Sequence, residues 1–87
     1  MTGSYSLVIN KSAERELRAL QKTDLRRITE RIRGLAQNPR PPGNEKLSGQ
    51  DRYRIRQGDY RILYAVDDER RTIQVVKIGH RREVYRK

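Results

Sequence analysis

The sequence predicts one α+β domain over residues 1–87, in which an antiparallel-dominated sheet carries a helical hairpin on one face. Three observations predict this fold class. The chain is too short for a second independent hydrophobic core. Its apolar residues alternate over residues 5–10, recur with helical spacing over residues 13–35, and alternate again from residue 52 onward. Connections that contain glycine or proline separate these segments and indicate the element order β-α-α-β-β-β.

The first strand and the first helix follow from the spacing of a few apolar side chains. Residues 5–10 alternate, which places Tyr5, Leu7 and Ile9 on one face of a strand. Ser12 is the expected N-cap of a short helix, and residues 21–23 are expected to form the connection that follows it. The apolar stripe of this helix has the spacing i, i+4 and i+7 and consists of Ala13, Leu17 and Leu20.

A second helix is expected from about Asp24. It should end before the pair Asn38 and Pro39, because the residue that precedes a proline avoids the α conformation. Both helices are apolar on one side only, so we expect them to form a hairpin that packs on the sheet. The apolar stripe of the second helix consists of Leu25, Ile28, Ile32 and Leu35.

A surface connection is expected over residues 40–49, which hold two prolines and two glycines. Beyond it the period changes to two. Tyr53 and Ile55 then point to one side of a strand, while Arg54 and Arg56 point to the other.

Two more strands are expected to follow through short turns. Turn residues at 58–59 join the first of these strands, over residues 60–66, to the one before it. A charged loop at residues 67–71 leads to the last strand, over residues 72–78. Gly79 is expected to break this strand and to leave a short basic tail. The strand near the N-terminus is expected to join the same sheet after the chain has crossed the helical hairpin.

The charge balance is the first indication of function. Twenty-one Lys and Arg residues oppose eleven Asp and Glu residues, which leaves a formal net charge of +10. So much positive charge on a small domain favours polyanionic partners. Arginine outnumbers lysine by sixteen to five, and planar guanidinium groups suit bidentate contacts with phosphate and stacking on bases. Nucleic acid is therefore the expected partner, and an acidic protein is the main alternative.

Composition and motifs exclude several classes of function. The chain has no cysteine and one histidine, so neither a disulfide framework nor a zinc site is expected, and no metal or cofactor is predicted. A Gly-rich phosphate loop and the G-x-S-x-G and H-E-x-x-H motifs do not occur. The apolar runs are too short for a signal peptide or a membrane span, so we expect a soluble cytoplasmic protein without a membrane partner.

Basic and aromatic residues concentrate after residue 52. Arg54 and Arg56 should lie about 7 Å apart on one strand face, and Arg61 on the next strand could reach the same surface. Such a cluster can bind phosphates and stack on an unpaired base, although each arginine taken singly could be a solvated strand residue. The tail adds His80, Arg81, Arg82, Tyr85 and Arg86. The tyrosines expected in the core or at its boundary are Tyr53, Tyr60 and Tyr64.

Cleavage of RNA would require three groups at this cluster. A base must take the proton of the 2′-hydroxyl, a cation must stabilise the phosphorane, and an acid must protonate the leaving oxygen. Arginine serves the second task but cannot act as a base. His80, Glu83 and Tyr85 remain as proton-transfer candidates, and histidine has the most suitable ordinary pKa. If His80 is the base, its replacement by alanine should slow cleavage by ~10²-fold or more; otherwise it is an exposed tail residue.

Three segments of the chain resemble the signature of the RelE/ParE superfamily of bacterial and archaeal toxins. They read KLSG at residues 46–49, YRIRQGDYRILY at residues 53–64 and IGHRREVY at residues 78–85. The last segment is similar to the RelE branch in particular. The resemblance implies a RelE-like fold of the microbial ribonuclease type and a metal-independent endoribonuclease. It also implies cleavage of messenger RNA in the ribosomal A site through the 2′-hydroxyl, which inhibits translation, and a cognate antitoxin that wraps the basic face.

The resemblance also assigns roles to individual residues. Arg54 and Arg56 match the two basic strand residues of the family, Arg61 and Arg81 would hold the scissile phosphate, and Tyr85 would stack on or orient the base. Further residues expected to contact RNA or the ribosome are Lys46, Arg52, Lys77, Arg82 and Arg86.

One departure from the family concerns the base. Well-known members carry lysines where this chain has Arg54 and Arg56, and a lysine can lose its proton whereas an arginine cannot. Either His80 takes the base role, or the ribosome and RNA supply it, or activity is weak. The alternatives to a nuclease are a ParE-like inhibitor of DNA gyrase that cleaves nothing and a catalytically dead binding module, since one scaffold can serve all three functions.

Overall fold

The computed structural model describes residues 4–47 and 52–80, and it confirms the predicted α+β class. Two helices lie on one face of a five-stranded, mostly antiparallel sheet. No helix within these described ranges is both long and apolar enough to cross a membrane. The elements in chain order are β1 (Ser6–Ile9), α1 (Lys11–Arg18), α2 (Lys22–Gln37), β2 (Glu45–Lys46), β3 (Arg52–Gln57), β4 (Tyr60–Asp67) and β5 (Thr72–His80).

The strands lie in the order β1-β5-β4-β3-β2. β3, β4 and β5 follow one another in antiparallel pairs through short turns, as the period-two pattern predicts. β1 pairs with the far side of β5 in the parallel direction. A parallel pair needs a long crossover connection, and the chain between β1 and β5 supplies one that includes both helices. The expected entry of β1 into the sheet is confirmed.

The hydrophobic core lies between the helices and the sheet. Alternate strand residues enter it, and side chains such as Ile55 and Ile62 have almost no exposed surface. Tyr64 is fully buried, and its hydroxyl donates a hydrogen bond of 2.7 Å to the carbonyl of Pro39, which satisfies the buried polar group. The buried residues of α2 are those of the predicted stripe, Ile28, Ile32 and Leu35.

The helices begin earlier than the sequence predicts. α1 begins at Lys11 with Asn10 as its N-cap, and α2 begins at Lys22, two residues before its expected start. Ser12 lies inside α1, and its hydroxyl donates a 3.2 Å hydrogen bond to the carbonyl of Val76 in β5. The expected cap is therefore wrong. Apolar spacing determines which side of a helix is buried, but it does not determine where the first turn starts.

Two strands also depart from the prediction. β2 is a two-residue strand within the expected surface connection, and it pairs with β3 at the edge of the sheet. β5 does not break at Gly79, which is buried and lies opposite Arg61 of β4. In both places, pairing with a neighbouring strand supplies backbone hydrogen bonds that local preference does not predict. The last strand therefore continues to His80.

α1 protects an edge of the sheet. β1 pairs with β5 only as far as Val75, so β5 is the edge strand beyond that point. There the carboxylate of Glu16 accepts a 2.8 Å hydrogen bond from the backbone N–H of Ile78. The hydroxyl of Ser12 likewise satisfies a backbone group of this edge, the carbonyl of Val76. α1 thus occupies the place of a further strand. Ile9, which the alternation places on one face of β1 with Tyr5 and Leu7, is 38% exposed.

Candidate nucleic-acid interface

Three arginines lie together on the side of the sheet that carries no helices. The register places Arg56 of β3 opposite Arg61 of β4, and Arg54 opposite Leu63. Gly79 of β5 flanks Arg61 on its other side and adds no side chain. Because the alternate residues of β3 and β4 enter the core, these guanidinium groups emerge on one side. The structure thus brings together Arg54, Arg56 and Arg61, which we call the arginine cluster.

The members of the arginine cluster differ in exposure. Arg56 is exposed, whereas the side chain of Arg54 retains 26% of its accessible surface. Arg61 is buried to 2% of its accessible surface. A phosphate can therefore reach Arg56 directly, but it reaches the guanidinium of Arg61 only if the groups that cover this side chain move.

A carboxylate lies at the edge of the arginine cluster. Glu45 of β2 pairs across the strands with Arg54, whose Nε donates a 2.9 Å hydrogen bond to Glu45 Oε1. Arg54 Nη2 donates to the same oxygen. This hydrogen-bonded guanidinium lowers the pKa of the Glu45 carboxyl, and the charges of Arg56 and Arg61 lower it further. Glu45 is therefore an ionised acceptor that faces the arginine cluster at neutral pH.

Glu45 is the residue of this surface that sequence reasoning missed. It lies in a segment that was expected to be a connection, nine residues before Arg54. The pair Glu45 and Lys46 is too short to predict a strand from alternation. Only the pairing of β2 with β3 shows that its carboxylate belongs to the surface.

The other basic strand residues lie at different places. Arg52 is opposite Ala65 on the side of the arginine cluster. Lys46 pairs with Tyr53, which places it on the side of the sheet that faces the helices. Lys77 is opposite Leu63, on the side of the arginine cluster, and its ammonium forms an ion pair of 3.1 Å with Glu16 of α1. Among the described residues, the structure therefore places Arg52 and Lys77 on the side of the arginine cluster and Lys46 on the other side.

His80 lies on the opposite side of the sheet from the arginine cluster. It pairs with Tyr60 across the strands, and the two rings meet edge to face with their centroids 5.3 Å apart. Together with Glu16, Leu20 and Ile78 they line a cavity of about 300 Å³ next to α1. The structure therefore does not bring His80 next to the arginines. No group of three or more His, Cys, Asp or Glu side chains that could hold a metal ion occurs within residues 4–47 and 52–80.

Comparison with known proteins identifies the family of this chain. Residues 7–85 match the model of the ParE toxin of the type II toxin–antitoxin system parDE. The toxin RelG of Mycobacterium tuberculosis is 31% identical over 87 residues, which cover 95% of this chain and 98% of RelG. The chain belongs to the RelE/ParE family of toxins. It is a RelE-like toxin of a type II toxin–antitoxin system, as the resemblance of its three segments implies.

Solved structures of RelE toxins have the same fold as this RelE-like chain. The toxin in the RelBE2 toxin–antitoxin complex of Mycobacterium tuberculosis superposes with a TM-score of 0.80 at 27% identity, covering 93% of this chain and 95% of that one. The archaeal RelE in the RelE–RelB complex of Pyrococcus horikoshii superposes with a TM-score of 0.79 at 31% identity, covering 90% of this chain and 96% of that one.

Part of the surface expected from the family lies outside the described residues. The tail positions that were predicted to hold the phosphate, orient the base or bind RNA lie there, namely Arg81, Arg82, Tyr85 and Arg86. The proton-transfer candidate Glu83 lies there too. Within the described residues, the arginine cluster can neutralise a phosphate that gains charge, and Glu45 can accept a proton beside it.

Proposed function

We propose that this RelE-like toxin is an endoribonuclease that cleaves messenger RNA in the A site of the ribosome and thereby inhibits translation. The observation that carries the proposal is the arginine cluster with Glu45 at its edge. Three guanidinium groups beside one ionised carboxylate provide charge stabilisation and proton acceptance on one surface. An inhibitor that only binds its target has no need for that combination.

The proposed reaction needs no metal and no cofactor. A carboxylate takes the proton of the 2′-hydroxyl as the 2′-oxygen of the messenger attacks the adjacent phosphorus. The bond from phosphorus to the 5′-oxygen breaks, the 5′-oxygen leaves with a proton from water, and a 2′,3′-cyclic phosphate remains. Arg56 and Arg61 stabilise the phosphorane charge once the groups that cover Arg61 have moved. Arg81 and Tyr85 keep the roles that the family resemblance implies, Arg81 at the phosphate and Tyr85 at the nucleobase.

We assign the base role to Glu45 in preference to His80. Glu45 faces the arginines, and its carboxyl is ionised at neutral pH, as an ordinary glutamate is, with Arg54 holding the pKa of this carboxyl still lower. His80 lies across the sheet and contacts Tyr60. A base must come within hydrogen-bond reach of the proton that it removes, so the position of a candidate base is a stronger criterion than its pKa.

The proposed partners are the ribosome with its messenger and a cognate antitoxin, in the cytoplasm. Two solved structures similar to this chain are toxin–antitoxin complexes, RelBE2 of Mycobacterium tuberculosis and RelE–RelB of Pyrococcus horikoshii. An antitoxin segment with acidic residues would complement the +10 charge of this chain and reduce its self-repulsion.

In vitro translation with purified ribosomes tests the proposal. We expect messenger cuts at A-site codons, mapped by primer extension, and we expect Arg61→Ala and Arg81→Ala each to reduce the cutting rate by about 10²-fold or more because they remove phosphorane stabilisation. Arg70→Ala is the matched control, since this loop arginine is largely exposed and lies outside the arginine cluster. Intact messenger together with gyrase-dependent DNA breaks would overturn the proposal in favour of a gyrase inhibitor.

A further inference from the structure

A second set of cations lies on the helices, on the other side of the sheet from the arginine cluster. Residues 11–37 contain eight Lys and Arg residues against four Asp and Glu residues. Of the acidic residues, Glu14 is paired with Arg18, and Glu16 is paired with Lys77. The exposed helix cations that form no ion pair within the described residues are Lys11, Arg15, Lys22, Arg26, Arg27 and Arg33.

Three of these cations form a stripe along α2. Lys22, Arg26 and Arg33 lie within about 40° of one another around the helix axis and span about 16 Å along it, given 3.6 residues per turn and a rise of 1.5 Å. All three are exposed, outside the buried stripe of α2. Glu30 is near them on the helix but forms no ion pair with them. We call Lys22, Arg26 and Arg33 the helix stripe.

The surface around the helix stripe suits phosphate better than protein. Stable protein interfaces have an apolar centre. In the described part of the chain, however, the large hydrophobic side chains that remain exposed are Val8 and Ile9, and both belong to β1. An exposed row of cations without apolar neighbours has the composition of a surface that binds a nucleic-acid backbone.

The two basic surfaces lie on opposite sides of the sheet. The sheet lies between them, in a molecule with extents of only 34 × 29 × 25 Å. A single RNA strand bound at the arginine cluster cannot also contact α2 without wrapping around the domain. A folded RNA that surrounds the domain can contact both surfaces at once.

We propose that the helix stripe is a second RNA-binding surface, which contacts backbone phosphates of folded RNA while the arginine cluster holds a single strand. The inference rests on the proposed function, because it takes the ribosome with its bound messenger to be the folded RNA. The helix stripe then contributes to the affinity for the ribosome, whereas the affinity for free single-stranded RNA depends on the arginine cluster alone.

Equilibrium binding tests the inference without cleavage. The probes are purified ribosomes whose messenger carries a 2′-O-methyl group at the A-site codon, which removes the nucleophile, and a short single-stranded RNA. The double variant Arg26→Gln/Arg33→Gln removes two stripe charges with little change in helix propensity. The matched control is Arg70→Gln/Arg71→Gln, which removes the same charge from the loop between β4 and β5. Thermal melting verifies that both variants fold.

We expect the stripe variant to bind ribosomes about tenfold more weakly at moderate salt. The slope of log affinity against log salt should fall by about 1.5, because two phosphate contacts are lost. The affinity of this variant for the short RNA should match that of the control. Ribosome binding equal to that of the control, or an equal loss for both probes, would overturn the inference.

The failure of this inference can be distinguished from the failure of the proposed function. If the unmodified protein leaves messenger intact but the stripe variant still loses ribosome affinity selectively, the nuclease proposal fails and the second surface stands. If messenger is cut at A-site codons but the stripe variant binds as the control does, the helix stripe has no such role.

Discussion

Glu45 adds a proton acceptor to the N–H donors of the arginine cluster in the described part of this surface. Arg54, Arg56 and Arg61 each present N–H groups only, and an arginine stays protonated at any relevant pH. The two hydrogen bonds from Arg54 orient the carboxylate of Glu45 and hold it at the arginine cluster. A carboxylate held in this way can take a proton from a 2′-hydroxyl that a neighbouring phosphate contact has positioned.

Replacement of Glu45 by glutamine should separate its two possible effects. We expect Glu45→Gln to slow single-turnover cleavage of ribosome-bound messenger by about 10²-fold or more, because the amide cannot accept the proton. Glu69→Gln, at an exposed site in the loop between β4 and β5, is the matched control. A variant that cuts as fast as the unmodified protein would mean that Glu45 is only the counter-ion of Arg54.

The pH dependence of cleavage should distinguish Glu45 from His80. Arg54 lowers the pKa of the Glu45 carboxyl, so this base stays deprotonated throughout the neutral range. We therefore expect an almost constant cleavage rate between about pH 5.5 and about pH 7.5, a range that brackets the ordinary histidine pKa of about 6.5. A histidine base of ordinary pKa, about 6.5, would lose about tenfold in rate as the pH falls from about 7.5 to about 5.5. His80→Ala should change the rate by less than about threefold. A steep acidic loss that disappears in His80→Ala would assign the base to His80.

At the scale of elements, a hydrogen-bonded network holds the segment that leads from α2 to β2. Arg40 donates to Asp68 at 2.8 Å and to the hydroxyl of Tyr53 at 3.0 Å, and the Tyr5 hydroxyl donates to Asp68 at 2.7 Å. Asp68 in the loop between β4 and β5 thereby connects the start of the chain to the connection after α2. Since that connection continues to Glu45, the network also supports the position of the carboxylate at the arginine cluster.

The network should make stability depend on pH in a definite direction. The hydrogen bond from Arg40, and then that from Tyr5, lowers the pKa of the Asp68 carboxyl below its ordinary value of 3.8. The stabilisation is therefore present above about pH 3.8 and is lost as the pH falls through the lowered pKa. We expect Asp68→Asn to have a lower Tm at pH 7 and a smaller further drop on acidification to pH 2–3, measured by circular dichroism. Equal Tm values for Asp68→Asn and for the control Glu69→Gln at pH 7 would contradict the role of the network.

At the scale of the whole molecule, charge and core size act against each other. The core is small, and the formal net charge of +10 destabilises the compact chain through self-repulsion. Anionic groups that bind at the arginine cluster or at the helix stripe reduce that repulsion and stabilise the folded state by mass action. A polyanionic ribosome and an acidic antitoxin segment would both have this effect.

Much of the architecture was determined by patterns that the chain carries locally. The 3.6-residue stripe of Ile28, Ile32 and Leu35 predicted α2 and its buried side. The period of two at Tyr53 and Ile55 predicted β3 and placed Arg54 and Arg56 on the side away from the core. These predictions hold because the side on which an element buries its residues depends on spacing within that element alone.

The sequence by itself thus determined the fold class, the shared surface of Arg54, Arg56 and Arg61, and the family resemblance. Only the tertiary structure decided which proton acceptor lies beside these arginines. Glu45 reaches them because β2 pairs with β3, and His80 lies across the sheet because β5, after a register shift opposite Leu63 and Tyr64, pairs Gly79 with Arg61 and His80 with Tyr60. Both outcomes depend on strand pairing between distant segments, and a shift of one residue in such a register moves a side chain to the other face of the sheet.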